Sequence, residues 1–403
     1  MGVATTYNPG SMSRFNAGLL FFALVVTVSP AFSADPPPGT TPQDDIDPAT
    51  GLARTTIVRP LNDAPAVPEQ RRAPSPALPA APNRPHIALI LPTSSPTLGK
   101  VADAVRQGFM AAAGVAGKRA PPVHVTAIDN EAGALLDACR GAQATGALLV
   151  VGGITRDGAH SLAASDCPRQ PVLTLNEPRG DLLPTVYSIS LSLEQEARQA
   201  ALLAVADGRR SAIVIHSASP LSRRVEEAFE REWERAAGQV RRILFNGTPD
   251  EAGLIRARIT GMSADMVFIA LDAAEALAVR PYITAMLPVY ATSFSVNPRA
   301  EALVNADLQG VRYGEMPWFA QPDHPAVMVY PQPRTPLPVE LERLYALGID
   351  AYRLSLLILE GPRPPPLDGV TGRITLEGAN QFTRALVPAE IDGGRILPLR
   401  SAP

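Results

Sequence analysis

Short runs of consecutive apolar residues, each followed by a polar turn and then by apolar positions at helical spacing, recur along the chain from His86 onward. The first run, His86 to Leu91 ahead of Pro92, does not alternate, and this is the pattern of a strand buried on both faces of a parallel sheet. A polar stretch, Thr93-Ser94-Ser95-Pro96, leads into a predicted helix over 98–113 with Val101, Val105, Phe109 and Met110 on its apolar side. The unit then repeats, with strands predicted over 123–128, 147–151 and 171–175 and helices over 132–144 and 156–164. Regular alternation of this kind predicts a doubly wound parallel sheet with right-handed crossovers.

Past Tyr187 the alternation starts again. Helices are predicted over 194–207, 222–237, 251–262 and 273–285, and strands over 212–216, 241–245, 266–271, 288–292 and 310–315. A long amphipathic helix follows over 340–359, and 369–376 with 385–391 alternate in the antiparallel manner around Gly and Asn. The expected fold class is therefore α/β, with two doubly wound lobes and a central crevice between their strand ends. Lobe 1 is expected over 86–190 plus 318–362. Lobe 2 is expected over 191–317 plus a C-terminal hairpin, 368–398, the whole domain running to about residue 400.

The N-terminal part reads differently. Arg14 precedes an apolar run from Ala17 to Val28, and Ala31 and Ser33 flank Phe32 in the manner of a signal-peptidase site. The run is shorter than the roughly 20 residues that span a bilayer, so a cleaved signal peptide over 1–33 and a periplasmic product are expected. No cysteine lies near the end of the run, and no lipid anchor is expected. Residues 34–85 are rich in Pro, Ala, Asp and Thr with almost no large apolar side chain, the composition of a disordered linker.

Of 403 residues, 46% are hydrophobic, enough for two medium-sized cores, and the net charge of -3 offers no basic field to attract nucleic acid. There is no Gly-x-Ser-x-Gly elbow, Ser-x-x-Lys, His-Glu-x-x-His or Gly-rich phosphate loop, and the five histidines are scattered singly. No enzyme activity, cofactor or metal is expected. The two cysteines, Cys139 and Cys167, fall on or just beyond consecutive crossover helices, where an oxidising compartment permits either a disulfide or two thiols.

Candidate chemistry concentrates at the strand ends. Ser94, Ser95, Gly153, Thr155, Asn176, Glu177 and Ser217 would face the crevice, with Tyr290 as an aromatic wall. Small hydroxyls and backbone amides beside a helix N-terminus can hold the carboxylate of an amino-acid-like ligand, and the same residue types are ordinary helix caps, the simpler reading. Trp318, in a Pro-flanked segment between the lobes, is either a partner-binding anchor or inter-lobe packing.

Several stretches together resemble the penicillin-binding protein activators of the LpoA/LppC family. They are Ile87-Ala88-Leu89-Ile90-Leu91-Pro92, Val151-Gly152-Gly153-Ile154-Thr155-Arg156, Pro171-Val172-Leu173-Thr174-Leu175-Asn176, Pro288-Val289-Tyr290-Ala291-Thr292-Ser293, Leu308-Gln309-Gly310-Val311-Arg312, Met316-Pro317-Trp318, and Leu344-Tyr345-Ala346-Leu347-Gly348-Ile349-Asp350-Ala351-Tyr352-Arg353. The resemblance implies the two-lobed fold of type I periplasmic binding proteins. It also implies a non-catalytic regulator that stimulates a bifunctional peptidoglycan synthase, a class A penicillin-binding protein. The family's better known members carry a lipidated cysteine and a helical repeat domain, neither of which is read in this sequence. A solute-binding receptor for an amino acid or peptide fragment is the alternative.

Overall fold

The computed structural model describes residues 84–399 except 132, 168, 237 and 379. The expected signal peptide and linker lie outside the described residues. In chain order the first segment contains β1 (His86–Leu91), α1 (Gly99–Ala116), β2 (Val123–Ala127), α2 (Gly133–Ala144), β3 (Ala147–Gly152), α3 (Arg156–Ala163), β4 (Val172–Thr174) and β5 (Val186–Ser188). The second contains α4 (Leu193–Ala206), β6 (Ser211–Ser217), α5 (Pro220–Ala236), β7 (Gln239–Phe245), α6 (Pro249–Thr260), β8 (Met266–Ala270), α7 (Ala273–Val279), β9 (Val289–Ala291), α8 (Ala302–Asn305) and β10 (Val311–Glu315). There follow α9 (Pro317–Ala320), α10 (Pro325–Met328), α11 (Val339–Glu360), β11 (Leu367–Asp368), β12 (Arg373–Glu377), β13 (Gln381–Ala385), β14 (Val387–Asp392) and β15 (Arg395–Pro398).

Two sheets result. The first has the order β11-β12-β13-β5-β4-β3-β1-β2 and the second β15-β14-β10-β9-β8-β6-β7. The unbroken apolar runs became the central parallel strands: all six residues of β1 and all five of β8 are buried, because helices cover both faces. On the first sheet, α1 and α11 share one core with Leu89, Val151 and Leu173, and α2 covers the other face around Ile90, Val150 and Cys139. A Cβ on Gly108 would lie 1.8 Å from the Tyr345 carbonyl oxygen, and one on Gly348 would lie 2.2 Å from that of Val105. Both positions must lack a side chain for α1 and α11 to cross this closely.

The expected C-terminal hairpin of lobe 2 is corrected. Apart from the register pair Arg373–Ala385, residues 369–376 and 385–391 do not pair with each other. Instead β12 pairs antiparallel with β13 and extends the first sheet, where Gln381 pairs with Ser188, while β14 pairs with β10 and β15 in the second. The physical reason lies in Arg384, fully buried, whose guanidinium donates to the carbonyls of Ser190 (2.9 Å) and Thr371 (3.0 Å), fixing β13 against the first lobe before the chain crosses at Leu386. The helix expected over 273–285 is also shorter, since Pro281 cannot continue an α-helix and a 3-10 turn over Arg280–Tyr282 replaces its end.

Cys139 and Cys167 form a disulfide, with Cα atoms 6.3 Å apart. On the outer edge of the first sheet, the His124 ring of β2 stacks on the His86 ring of β1 with centroids 3.9 Å apart. Burial first, and then the charge of His86, hold the His124 imidazole below its ordinary range. The unfolded chain therefore binds the proton more readily, and this contribution to stability is complete above about pH 6.5 and is lost as pH falls below it. The urea midpoint is expected to fall between pH 7.5 and pH 5 by a margin that shrinks in His124→Gln; an equal fall in both proteins would remove His124 from the account.

Candidate functional site

The chain crosses between the sheets three times among the described residues: from β5 to α4, from β10 to α9 and from β13 to β14. The parallel strands of both sheets direct their C-terminal ends toward the crevice so formed, as the residues that follow β3, β4, β8, β9 and β10 in its lining show. Two neighbouring cavities occupy it. One, of about 240 Å³, is lined by Ile154, Arg156, Asn176, Glu177, Glu194 and Arg224 among others. The second, of about 580 Å³, lies toward the second lobe, between Asp272, Phe294 and Val296 on one side and Val339, Glu340 and Arg343 of α11 on the other. Leu191, Leu193, Leu221 and Leu344 line both, so the floor is aliphatic.

Charged side chains tie the lobes together around this floor. At the mouth, Arg156 of α3 bonds Glu194 of α4 at 2.7 Å, and Arg224 of α5 reaches the same oxygen at 3.2 Å. Deeper in, Gln195 and Ser190 both donate to Glu177, each at 2.8 Å. Arg343 of α11 makes a forked pair with Glu315 at the end of β10 (2.6 and 2.9 Å), and Glu315 is 0% exposed. Burial alone would lower the Arg343 guanidinium, but Glu315 raises it further, so the group stays charged. Arg299 pairs with Glu342, which also accepts the Trp318 indole N–H at 2.8 Å. Arg384 lies 3.6 Å from Glu196, whose carboxyl is pushed up by burial and held back by Arg384 and Arg343.

At the N-terminus of α3 the donors that the sequence leaves open to either a ligand carboxylate or a helix cap are used by the protein itself. Glu131, from the loop after β2, accepts the amides of Ile154 (2.8 Å) and Thr155 (2.9 Å) and the Thr155 hydroxyl (2.6 Å). The carboxylate is 8% exposed. A Cβ on Gly158 would lie 2.1 Å from its oxygen, so this glycine makes room for it. Removing it in Glu131→Ala leaves two amide donors without their acceptor and is expected to cost about 1–3 kcal/mol in urea unfolding; a loss below 0.5 kcal/mol, on the order of the scatter among neutral surface changes, would mean that water replaces it freely.

The structure separates the other candidates. Asn176 and Glu177 line the crevice, Asn176 by way of its Nδ2 donation to the Ile154 carbonyl. Thr155 caps α3 through the Gly158 amide, and Gly153, at φ +70°, turns the chain out of β3. Ser95 accepts the Leu98 amide ahead of α1, and Ser94 is exposed and lines neither cavity. Ser217 is buried and bonds Ser219, while its amide donates to Ser222. One expectation is corrected. Tyr290 is no crevice wall: β9 is a central strand that buries its ring between α4 and α5, and its hydroxyl, pushed up to about 12 by burial and by Asp207, donates to Asp207 at 2.6 Å. Of the two alternatives for Trp318, its burial (1% exposed, in the first-lobe core) and its bond to Glu342, which pairs with Arg299, fit packing rather than an exposed partner anchor. Glu131 was missed because an acid in the loop Asp129-Asn130-Glu131 carries no spacing signal.

Two α/β lobes joined by three crossings, with their strand ends facing a shared crevice, define the type I periplasmic-binding-protein architecture. The match to known proteins narrows this further. The chain belongs to the LppC family, described as "LppC putative lipoprotein", whose model matches residues 81–255 and 255–394. It is similar to the penicillin-binding protein activator LpoA of Edwardsiella piscicida, 26% identical over 325 residues, covering 70% of this chain and 47% of that protein. LpoA of Mannheimia succiniciproducens is 25% identical over 321 residues, covering 78% and 55%. The chain thus spans about half the length of the curated relatives it matches. Among solved structures, a "putative branched-chain amino acid ABC transporter" from Chromobacterium violaceum is 38% identical with a TM-score of 0.66, covering 76% of this chain and all of that one. The C-domain of Haemophilus influenzae LpoA, named as a regulator of PBP1A, matches with a TM-score of 0.64 at 22% identity, covering 78% and 100%, and shares the fold.

Proposed function

We propose that this chain is a non-catalytic periplasmic regulator that binds a bifunctional class A penicillin-binding protein and stimulates its cross-linking activity. The observation that carries the reading is the occupied cradle: the two amides and the hydroxyl that could hold an amino-acid carboxylate already bind Glu131. A receptor for amino acids needs those donors free and lobes that open around the solute. Here the lobes are joined by ion pairs at the mouth and at the back of the crevice, which suits a rigid surface offered to another protein. The family and the names of its curated relatives support the same reading.

The test is binding of the exported chain to the periplasmic portions of class A penicillin-binding proteins, followed by a transpeptidation assay. Micromolar or tighter binding with faster cross-linking is the expected result; absence of both would overturn the proposal. The Chromobacterium neighbour favours a second reading, a solute receptor whose leucine-lined crevice takes an aliphatic ligand. That reading requires a branched-chain amino acid to bind the isolated chain.

A further inference from the structure

The larger cavity differs from the filled cradle in size and in charge. At about 580 Å³ it falls within the range of small-molecule sites. Leu193, Leu221, Phe294, Val296, Met316 and Leu344 give it apolar walls. Of the three carboxyl groups in the lining, Glu196 is answered by Arg384 at 3.6 Å and by the Ser293 amide, which leaves Asp272 and Glu340; the one cation in the lining, Arg343, is engaged by Glu315 in a forked pair. Asp272 uses Oδ1 to accept the Glu275 amide at the start of α7. Glu340 is exposed and makes no ion pair with a described residue. An apolar wall lowers the local dielectric, so a positive charge brought beside these carboxylates is held more strongly than it would be in open water.

The opposite charge has nowhere comparable to go. The amides at the α3 N-terminus hold Glu131, and Arg156 and Arg224 both hold Glu194. A zwitterionic amino acid would therefore bring its carboxylate beside Asp272 and Glu340 with no uncommitted cation in the lining to meet it, which costs binding free energy. We infer that the crevice cavity between Asp272, Phe294 and Glu340 is a binding site for an apolar primary amine lacking a neighbouring carboxylate, either a free amine or the amino-terminal residue of an apolar peptide. The site is independent of synthase binding, so either property can fail without the other.

The experiment is calorimetric titration of the full chain with hexylamine, leucinamide, leucyl-leucinamide, leucine and hexanoate. The amines and amides are expected to bind, with leucine and hexanoate weaker by about tenfold or more. Tighter binding of leucyl-leucinamide than of hexylamine assigns the site to a peptide amino terminus, and the reverse to a free amine. In Asp272→Asn combined with Glu340→Gln the affinity for hexylamine is expected to fall by about tenfold or more, while folding persists because Asn also caps helices. Glu340→Gln alone, at an exposed position, supplies the same test at lower amplitude should the double variant not fold. Leu344→Trp, which fills the space, is expected to abolish binding. Hexanoate or leucine binding as tightly as hexylamine, no amine binding to the folded chain, or an affinity unchanged in the charge variants would overturn the inference.

Discussion

Arg343→Met is expected to unfold with about 3–5 kcal/mol less free energy than the parent, read from urea denaturation at neutral pH. Glu315 is fully buried, and its two oxygens face the two guanidinium nitrogens of Arg343 at 2.6 and 2.9 Å. The Tyr313 hydroxyl (3.4 Å) and the Met316 amide (2.8 Å) remain as donors after the substitution, yet neither carries a charge. The variant thus keeps a carboxylate out of water without a counter-ion, which is far costlier than losing the pair as a whole. For that reason Arg343→Met combined with Glu315→Leu should recover most of the loss. A single variant within about 1 kcal/mol of the parent would show that Glu315 takes up a proton or water instead.

Removal of the disulfide comes second in size. The Cys139–Cys167 bridge closes a loop across 28 residues of sequence between α2 and the segment after α3. In the loop-entropy account a closure of this length stabilises by about 3–4 kcal/mol. Cys139→Ala with Cys167→Ala should lower stability by that amount, and reducing agent should shift the parent toward the variant while leaving the variant unmoved. Parent and variant melting together under oxidising conditions would mean that the bridge contributes nothing.

Much of the fold could be read from runs such as Ile87–Leu91 and Met266–Leu271, since a strand buried on both faces has to be apolar at every position. The sheet to which the last strands belong could not, because residues 369–391 are half-buried antiparallel segments whose local pattern is the same in either lobe. The choice is made by distant partners: the carbonyls of Ser190 and Thr371 for Arg384, and β10 for β14. The crevice was legible only in part. Ser95 and Thr155 have the composition of caps and act as caps, Thr155 also donating to Glu131. The distinction between a carboxylate from solution and one from Glu131 depends on a contact across 24 residues, and no spacing rule in the sequence encodes it.

The crossing at Leu386 has a bearing on how the molecule is made. Strands β11 to β13 complete the first sheet and β14 with β15 complete the second, so both lobes wait for a segment synthesised after all their other strands. Until they arrive, β5 and β10 each lack a neighbour along one side, and exposed strand edges of this kind invite pairing with other chains. The protein therefore exposes a strand edge in each lobe until that segment folds in, and a chaperone that shields β-edges would serve both lobes at once.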